Sequence, residues 1–258
     1  MSSDHITEVL RTAGFTVPRA SLEEARSRCG ARVLGRRITE SGAESLWRSL
    51  LAARESMGFH PLLSSMPPSV LVAGQLAEAD LFDERAVTAP REIVAEITEA
   101  ALADCLRYAE EEAEEEQWQA DFDPERLARE ISSEPESGRI TSFRPDWLCL
   151  VESETGWAVP GLLPGHPYAP SWTHGPEGRP MLDSDHSAFL HTWHDRFEAE
   201  LLYVSDRALM LDVARPPQQR LAVAEAAIEQ FAYCPDGQDT TSWANRWTRS
   251  GTWQFLWD

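Results

Sequence analysis

The stretch FLHTWHDRFEAELLYVSDRALMLDVARPP, residues 189–217, decides the fold class because its hydrophobic period changes along its length. Phe189, Trp193 and Phe197 recur every four residues and therefore share one side of a helix, which we predict over residues 185–200. Two apolar runs follow, separated by a short polar turn, and predict a β-hairpin. A helix followed by a hairpin is typical of an α+β fold.

Outward from this stretch, the C-terminal half continues to alternate strands and helices. Apolar runs predict strands at 147–152, 157–163 and 252–257, and a helix begins at Pro217. Counted from the strand at 157–163, the order is β-α-β-β-α-(α)-β, that of a ferredoxin-like βαββαβ sandwich. We therefore expect an α+β fold with this arrangement in its C-terminal half, although other α+β folds share the same elements.

The N-terminal half is predicted to be a mixed α/β region packed against the C-terminal half. We expect helices over 22–29, 43–56 and 90–118 and strands over 31–38, 60–63 and 69–73. The segment 121–145 is polar and rich in turn residues, with one short helix near Leu127. The predicted organisation is therefore an N-terminal region (1–120), a linker or surface connection (121–145) and a C-terminal domain (146–258).

Three segments of the C-terminal half resemble one family. The 189–217 stretch, AIEQFAYCPDG (227–237) and the terminal TWQFLWD (252–258) are similar to the DUF4253 domain, an uncharacterised family common in actinobacteria. The resemblance covers about Trp157 to Asp258 and extends weakly to SLWRSLLAARESMGFHPLLSS (45–65). Where the family carries a Gly-Trp-Asn-x-Cys-Pro-like segment, this chain has GHPYAPSWTHGP (165–176). The resemblance implies one fold for this half and no activity.

Composition excludes several classes of function. The formal net charge is −20, which repels phosphate backbones and disfavours nucleic acid as a partner. All 23 positive residues are arginines, so lysine-dependent chemistry such as a Schiff base or a Walker phosphate loop is absent. The four scattered cysteines predict reduced thiols rather than disulfides or zinc. With no secretory signal and no membrane-length apolar run, we expect a cytoplasmic protein.

Acidic and aromatic residues are the candidates for binding. A glutamate-rich run closes the 90–118 helix, and ten tryptophans are many for a chain of this size. The predicted binding residues are Glu112, Glu115, Trp172, Trp193, Arg196 and Trp257. A solvated helix face and an aromatic core explain the same patterns equally well.

One helix face carries a candidate metal site. His191, His194 and Glu198, with Asp195 between them, have spacings that place them on one side of the central helix. Imidazole and carboxylate at such spacing ligate zinc or iron, yet a polar outer face has the same pattern. No cofactor is expected.

Two functions follow from these patterns. The first is a non-catalytic, acidic protein-binding module, regulatory or immunity-protein-like, whose partner has a basic surface. The alternative is an enzyme that binds a metal or a small ligand between the two halves, near Trp172, Trp193, Arg196 and the histidines. Whether the protein is an enzyme stays open at this point.

Overall fold

A computed structural model of the chain describes residue 11 and residues 22–39, 42–73, 84–112, 122–134, 143–163, 181–235 and 239–257, with the backbone alone for 108–112. Within these residues seven strands form one mixed sheet of order β1-β2-β4-β3-β5-β6-β7. The strands are β1 (Glu23–Arg26), β2 (Arg32–Arg37), β3 (His60–Ser64), β4 (Trp147–Val151), β5 (Ala199–Val204), β6 (Ala208–Val213) and β7 (Thr252–Leu256). The fold class is therefore α+β, as predicted.

Strands from both halves of the chain alternate within this sheet. β4 lies between β2 and β3 and pairs antiparallel with both, while β5 pairs parallel with β3. The regions on either side of the predicted linker therefore build one sheet together. The ferredoxin-like order is not confirmed, because the segment predicted as its first strand, 157–163, contains a short helix instead.

Helices cover both faces of the sheet. They are α1 (Ala43–Ala52), α2 (Arg54–Met57), α3 (Pro68–Leu71), α4 (Arg85–Thr88), α5 (Pro90–Glu112), α6 (Pro124–Glu130), α7 (Val159–Leu162), α8 (Asp183–Phe197), α9 (Arg220–Tyr233) and α10 (Thr240–Ser242), the last continued by a π-helical turn (Trp243–Trp247). Among the helices that the structure describes, none is long and apolar enough to cross a membrane.

The larger core lies between one face of the sheet and helices α5, α8 and α9. The predicted aromatic side of α8 faces this core: the ring of Trp193 stacks on Phe255 of β7 at 5.2 Å and meets Trp253 edge-on at 5.5 Å. Burial of one such side chain stabilises the fold by about 1.5–3 kcal/mol. α8 is therefore anchored tightly enough to position the polar residues on its remaining sides.

A smaller core on the opposite face of the sheet is covered by α1. Trp47 is fully buried there, and its Nε1 donates to the carbonyl of Pro61 in β3 at 2.8 Å. This bond satisfies the indole N–H and fixes α1 across the central strand.

Three short segments differ from the predictions. Residues 69–73 and 157–163, predicted as strands, overlap the helices α3 and α7. Each has a proline in its first turn, where the fixed φ favours a helix and no N–H is needed. Residues 22–29, predicted as a helix, contain β1, which pairs with β2 and bonds Arg32 to Glu24 across the two strands. Tertiary pairing outweighs local preference there.

Candidate functional site

A cavity of about 480 Å³ lies between α5, α6, α8 and α9. α5 lines it with Arg91, Val94, Ala95, Thr98 and Glu99, α6 with Pro124, α8 with Thr192 and Arg196, and α9 with Glu225, Ile228 and Glu229. Residues three and four apart share one side of a helix, so each of the three long helices presents one stripe to the cavity. The volume is that of sites for small organic molecules.

The floor of the cavity is an arginine–glutamate pair between α8 and α9. Arg196 Nη1 donates to both carboxylate oxygens of Glu229, at 2.5 and 2.7 Å, and Trp193 Nε1 donates to Oε2 at 3.0 Å. The guanidinium also lies over the ring of Phe197, 4.7 Å from its centroid. Arg196 and Glu229 therefore neutralise each other and hold the two helices at a fixed distance.

Thr192 provides the least satisfied polar group of this site. Only 3% of the residue is exposed, and within the described residues its Oγ1 has no hydrogen-bond partner. A buried polar group without a partner costs about 1–3 kcal/mol. A partner that forms a hydrogen bond with this hydroxyl removes the cost, and the residue that carries it lines the cavity.

A second polar cluster lies where β3 and β5 begin. Arg54 donates to Oε1 of Glu200, and His194 Nδ1 lies 3.4 Å from the same oxygen. Gly156 closes over this cluster: a Cβ added there would come within 2.5 Å of Cε1 of His60 and 3.0 Å of Oε2 of Glu200. The loop approaches so closely only because residue 156 has no side chain.

His60 is fully buried beside this carboxylate. Its Nε2 lies 2.8 Å from the carbonyl of Leu201, which accepts only, so Nε2 carries the proton. Burial lowers the pKa of His60 to about 4, against opposing effects from the bond to Leu201 and the charge of Glu200. The imidazole is therefore neutral at pH 7.

The C-terminal part of the chain, residues 147–258, matches the family model described as a domain of unknown function, DUF4253. We call these residues the DUF4253 domain after this match, which covers less than half of the chain. The resemblance predicted from the sequence is thereby confirmed, and the match begins at Trp147, the first residue of β4. No curated protein and no solved structure matches the chain.

The cavity lies at the border of the DUF4253 domain. Helices α8 and α9 belong to the domain, whereas α5 and α6 precede it. The wall formed by Arg91 to Glu99 therefore comes from outside the family match. A ligand in this cavity contacts both parts of the chain.

The predicted metal ligands on α8 of the DUF4253 domain have separate partners. The ring of His191 stacks on Trp157 at 4.0 Å, His194 faces Glu200, and Glu198 pairs with Arg215 at 3.0 Å. Glu198 ends the helix in a left-handed conformation, with φ at 51°. Over the described parts of the chain, no group of three or more His, Cys, Asp or Glu side chains is placed to hold a metal ion.

The predicted binding residues have different environments. Trp193 and Trp257 are 0% and 1% exposed and form part of the aromatic core of the DUF4253 domain. Arg196 lines the cavity. The backbone of Glu112 lies at the end of α5, and Trp172 and Glu115 lie outside the described residues.

Most of the cavity was not predicted from the sequence. Thr192 and Arg196, like Glu225 and Glu229, are polar pairs four residues apart on helices that are otherwise largely buried. That spacing was the available signal, since two polar residues on one side of a buried helix need a common polar environment. No local sequence pattern predicts that these helices pack against α5.

Proposed function

We propose that the protein binds a small organic molecule in the cavity between α5, α6 and the DUF4253 helices α8 and α9. The observation that carries this proposal is Thr192, a buried residue that lines the cavity and whose Oγ1 has no hydrogen-bond partner in the described part of the chain. Native proteins satisfy nearly all buried polar groups. A bound ligand is the partner that this position lacks.

The chemical mixture of the walls supports the same proposal. Val94, Pro124 and Ile228 provide an apolar surface, and the threonines and charged residues provide a few directed polar groups. Small-molecule sites typically combine an apolar lining with a small number of such polar groups. The rigid Arg196–Glu229 pair keeps the floor preorganised, which lowers the entropy cost of binding.

A cavity-filling variant tests this function directly. We would screen a library of polar metabolites by the rise in melting temperature of the full chain, and repeat each hit with Ala95→Phe, which places a ring at the lining of the cavity. Ala103→Phe is the matched control, because Ala103 is exposed on the same helix and away from the cavity lining. We expect hits to be lost in Ala95→Phe and kept in Ala103→Phe. Hits that survive Ala95→Phe unchanged bind elsewhere and refute the proposal.

An acidic protein-binding function remains a second candidate because of the net charge of −20. The electrostatic field of this negative charge speeds association with a basic partner and makes the association sensitive to salt. The acidic end of α5, Glu110–Glu112, is the segment where we would neutralise charge by three Gln substitutions. A partner captured at low salt by the native chain, and equally by this variant, would show that the helix end plays no part.

A further inference from the structure

The charges around the cavity are not balanced. Glu229 is neutralised by Arg196, whose Nη2 lies 3.9 Å from Glu225, at the outer limit of an ion pair. This leaves Glu99 and Glu225 against Arg91, and all three residues are exposed at the rim of the cavity. Within the described residues, neither Glu99 nor Arg91 forms an ion pair. The cavity therefore has an excess of carboxylate.

The hydrogen-bonding groups show the same bias toward acceptors. Thr98 already donates its hydroxyl proton to the carbonyl of Val94 at 2.7 Å, so toward the cavity it has only lone pairs to offer. The Thr192 hydroxyl accepts or donates, and the carboxylates of Glu99 and Glu225 only accept. A ligand that complements these groups is rich in N–H donors.

We infer that the ligand of this cavity is a small organic cation, an aliphatic ammonium or guanidinium compound, an inference that rests on the proposed function above. An ammonium group presents three donors and no acceptor, which fits Glu225, Glu99 and the threonine oxygens. Its methylene chain packs on Val94 and Ile228. The field of a chain with net charge −20 concentrates cations in such a cleft.

An anionic ligand finds a poorer match. Of the two arginines at the cavity, Arg196 has its Nη1 committed to Glu229 and one face covered by Phe197. Arg91, the remaining N–H groups of Arg196 and the Thr192 hydroxyl are left as donors to an anion, and Glu225 and Glu99 repel it. Like-charge juxtaposition of this kind is a common source of discrimination between ligands.

Three probes of equal length separate these cases. 1,5-Diaminopentane, 5-aminopentanoate and glutarate all contain five carbons and differ in charge. We would measure their dissociation constants for the full chain by calorimetry at physiological salt, where long-range attraction is largely screened. The diamine is expected to bind at least about tenfold more tightly than glutarate, because a hydrogen bond to a charged group changes affinity by that factor or more.

Matched glutamine variants locate the binding. Glu99→Gln and Glu225→Gln are each expected to weaken the diamine by about tenfold, since each removes one charged acceptor. Glu92→Gln removes the same charge from an exposed position on α5 away from the cavity lining, and it should leave the affinity within about twofold, because an exposed distant charge is screened.

The contrary outcomes are distinct. Equal losses in all three glutamine variants would mean attraction by the general field alone, and they would overturn the cation site. Tighter binding of glutarate, weakened by Thr192→Val, would also overturn it while leaving a small-ligand function in place. Absence of binding by every probe overturns the inference too, whereas the library screen with Ala95→Phe decides the proposed function independently.

Discussion

Helix α8 takes part in two polar sites that differ in how completely their charges are compensated. On one side Thr192 and Arg196 line a cavity with an unpartnered hydroxyl and excess carboxylate. On another side His194 approaches Glu200, which Arg54 also holds, under a loop that leaves no room for a side chain at residue 156. The first site has space and unsatisfied acceptors. In the second, the Glu200 carboxylate lies between Arg54 and His194.

This difference separates binding from stability. Groups that already have partners stabilise the folded state, and their removal leaves a buried charge or donor unpaired. Groups without partners cost stability until a ligand arrives, a common trade-off at functional sites. We therefore expect substitutions in the enclosed cluster to lower the free energy of unfolding, and substitutions in the cavity to alter ligand affinity.

The largest expected effect is a loss of stability in acid through His60. Its pKa is lowered to about 4 in the folded protein from an ordinary value of 6.5, so between these values the unfolded chain binds a proton that the folded chain does not. The contribution of His60 to the free energy of unfolding is fully present above pH 6.5. It is lost as the pH drops toward 4, and the loss is on the order of 3 kcal/mol. Urea unfolding between pH 7 and pH 4 measures the slope.

The variant His60→Gln isolates this contribution, because its amide retains a donor for the Leu201 carbonyl and does not titrate. Its stability should depend less steeply on pH than that of the native chain. Burial also lowers the pKa of His186 to about 3, so protonation of this residue destabilises the protein in acid in the same direction. Part of the pH dependence of stability therefore persists in His60→Gln. An identical slope in both proteins would mean that His60 is not buried as a neutral ring.

The next largest effect is expected from Glu200→Ala. The substitution leaves Arg54 and His194 facing each other without the carboxylate between them, at positions that are only partly exposed. We expect the free energy of unfolding to fall by about 2–3 kcal/mol, somewhat less than for a fully buried pair. Glu44→Ala is the control, because Glu44 forms an exposed pair with Arg48 worth at most about 1 kcal/mol. Equal losses in the two variants would show that the cluster is no more than a surface ion pair.

A smaller effect is expected from Gly156→Ala. The added methyl group collides with the His60 ring, which cannot move without losing its bond to Leu201, so we expect a loss of about 1–3 kcal/mol. Gly251→Ala is the matched change, since its Cβ would meet only the Val213 carbonyl at 3.7 Å. That variant should be neutral or slightly stabilising. Thermal unfolding compares the two, and a neutral Gly156→Ala would mean that the loop does not close over the cluster.

The elements that the sequence predicted well are those that local periodicity determines. The helix predicted over 90–118 is observed as Pro90–Glu112, and the hairpin after Phe197 forms two paired strands. Short apolar runs such as 157–163 carry no such period. In that run Pro160 lies in the first turn of a helix, and this local preference outweighs the apolar pattern of a strand. The insertion of β4 between β2 and β3 depends on long-range pairing, which no local pattern contains.

The two polar sites could be predicted only in part for the same reason. Arg196, His191 and His194 were predicted to lie on one helix, as they do in α8, but their partners Glu229, Trp157 and Glu200 come from other elements. The tryptophans gave no information about a surface, because aromatic residues occur in cores and in binding sites alike. Whether a polar residue has a partner is a property of the packed molecule.

The smallest expected effect concerns the hydroxyl that distinguishes the cavity from the enclosed cluster. Thr192→Val keeps the side-chain shape and removes an Oγ1 that has no partner in the described residues, so stability should rise by about 1 kcal/mol. Thr248→Val is the matched change at a fully buried threonine whose Oγ1 donates to Gln230 or to the Trp243 carbonyl, and it should cost about 1–2 kcal/mol. Equilibrium unfolding of both variants provides the comparison. If Thr192→Val destabilises the protein as much as Thr248→Val does, the Thr192 hydroxyl has a partner within the chain. The observation that supports a ligand in the cavity is then wrong.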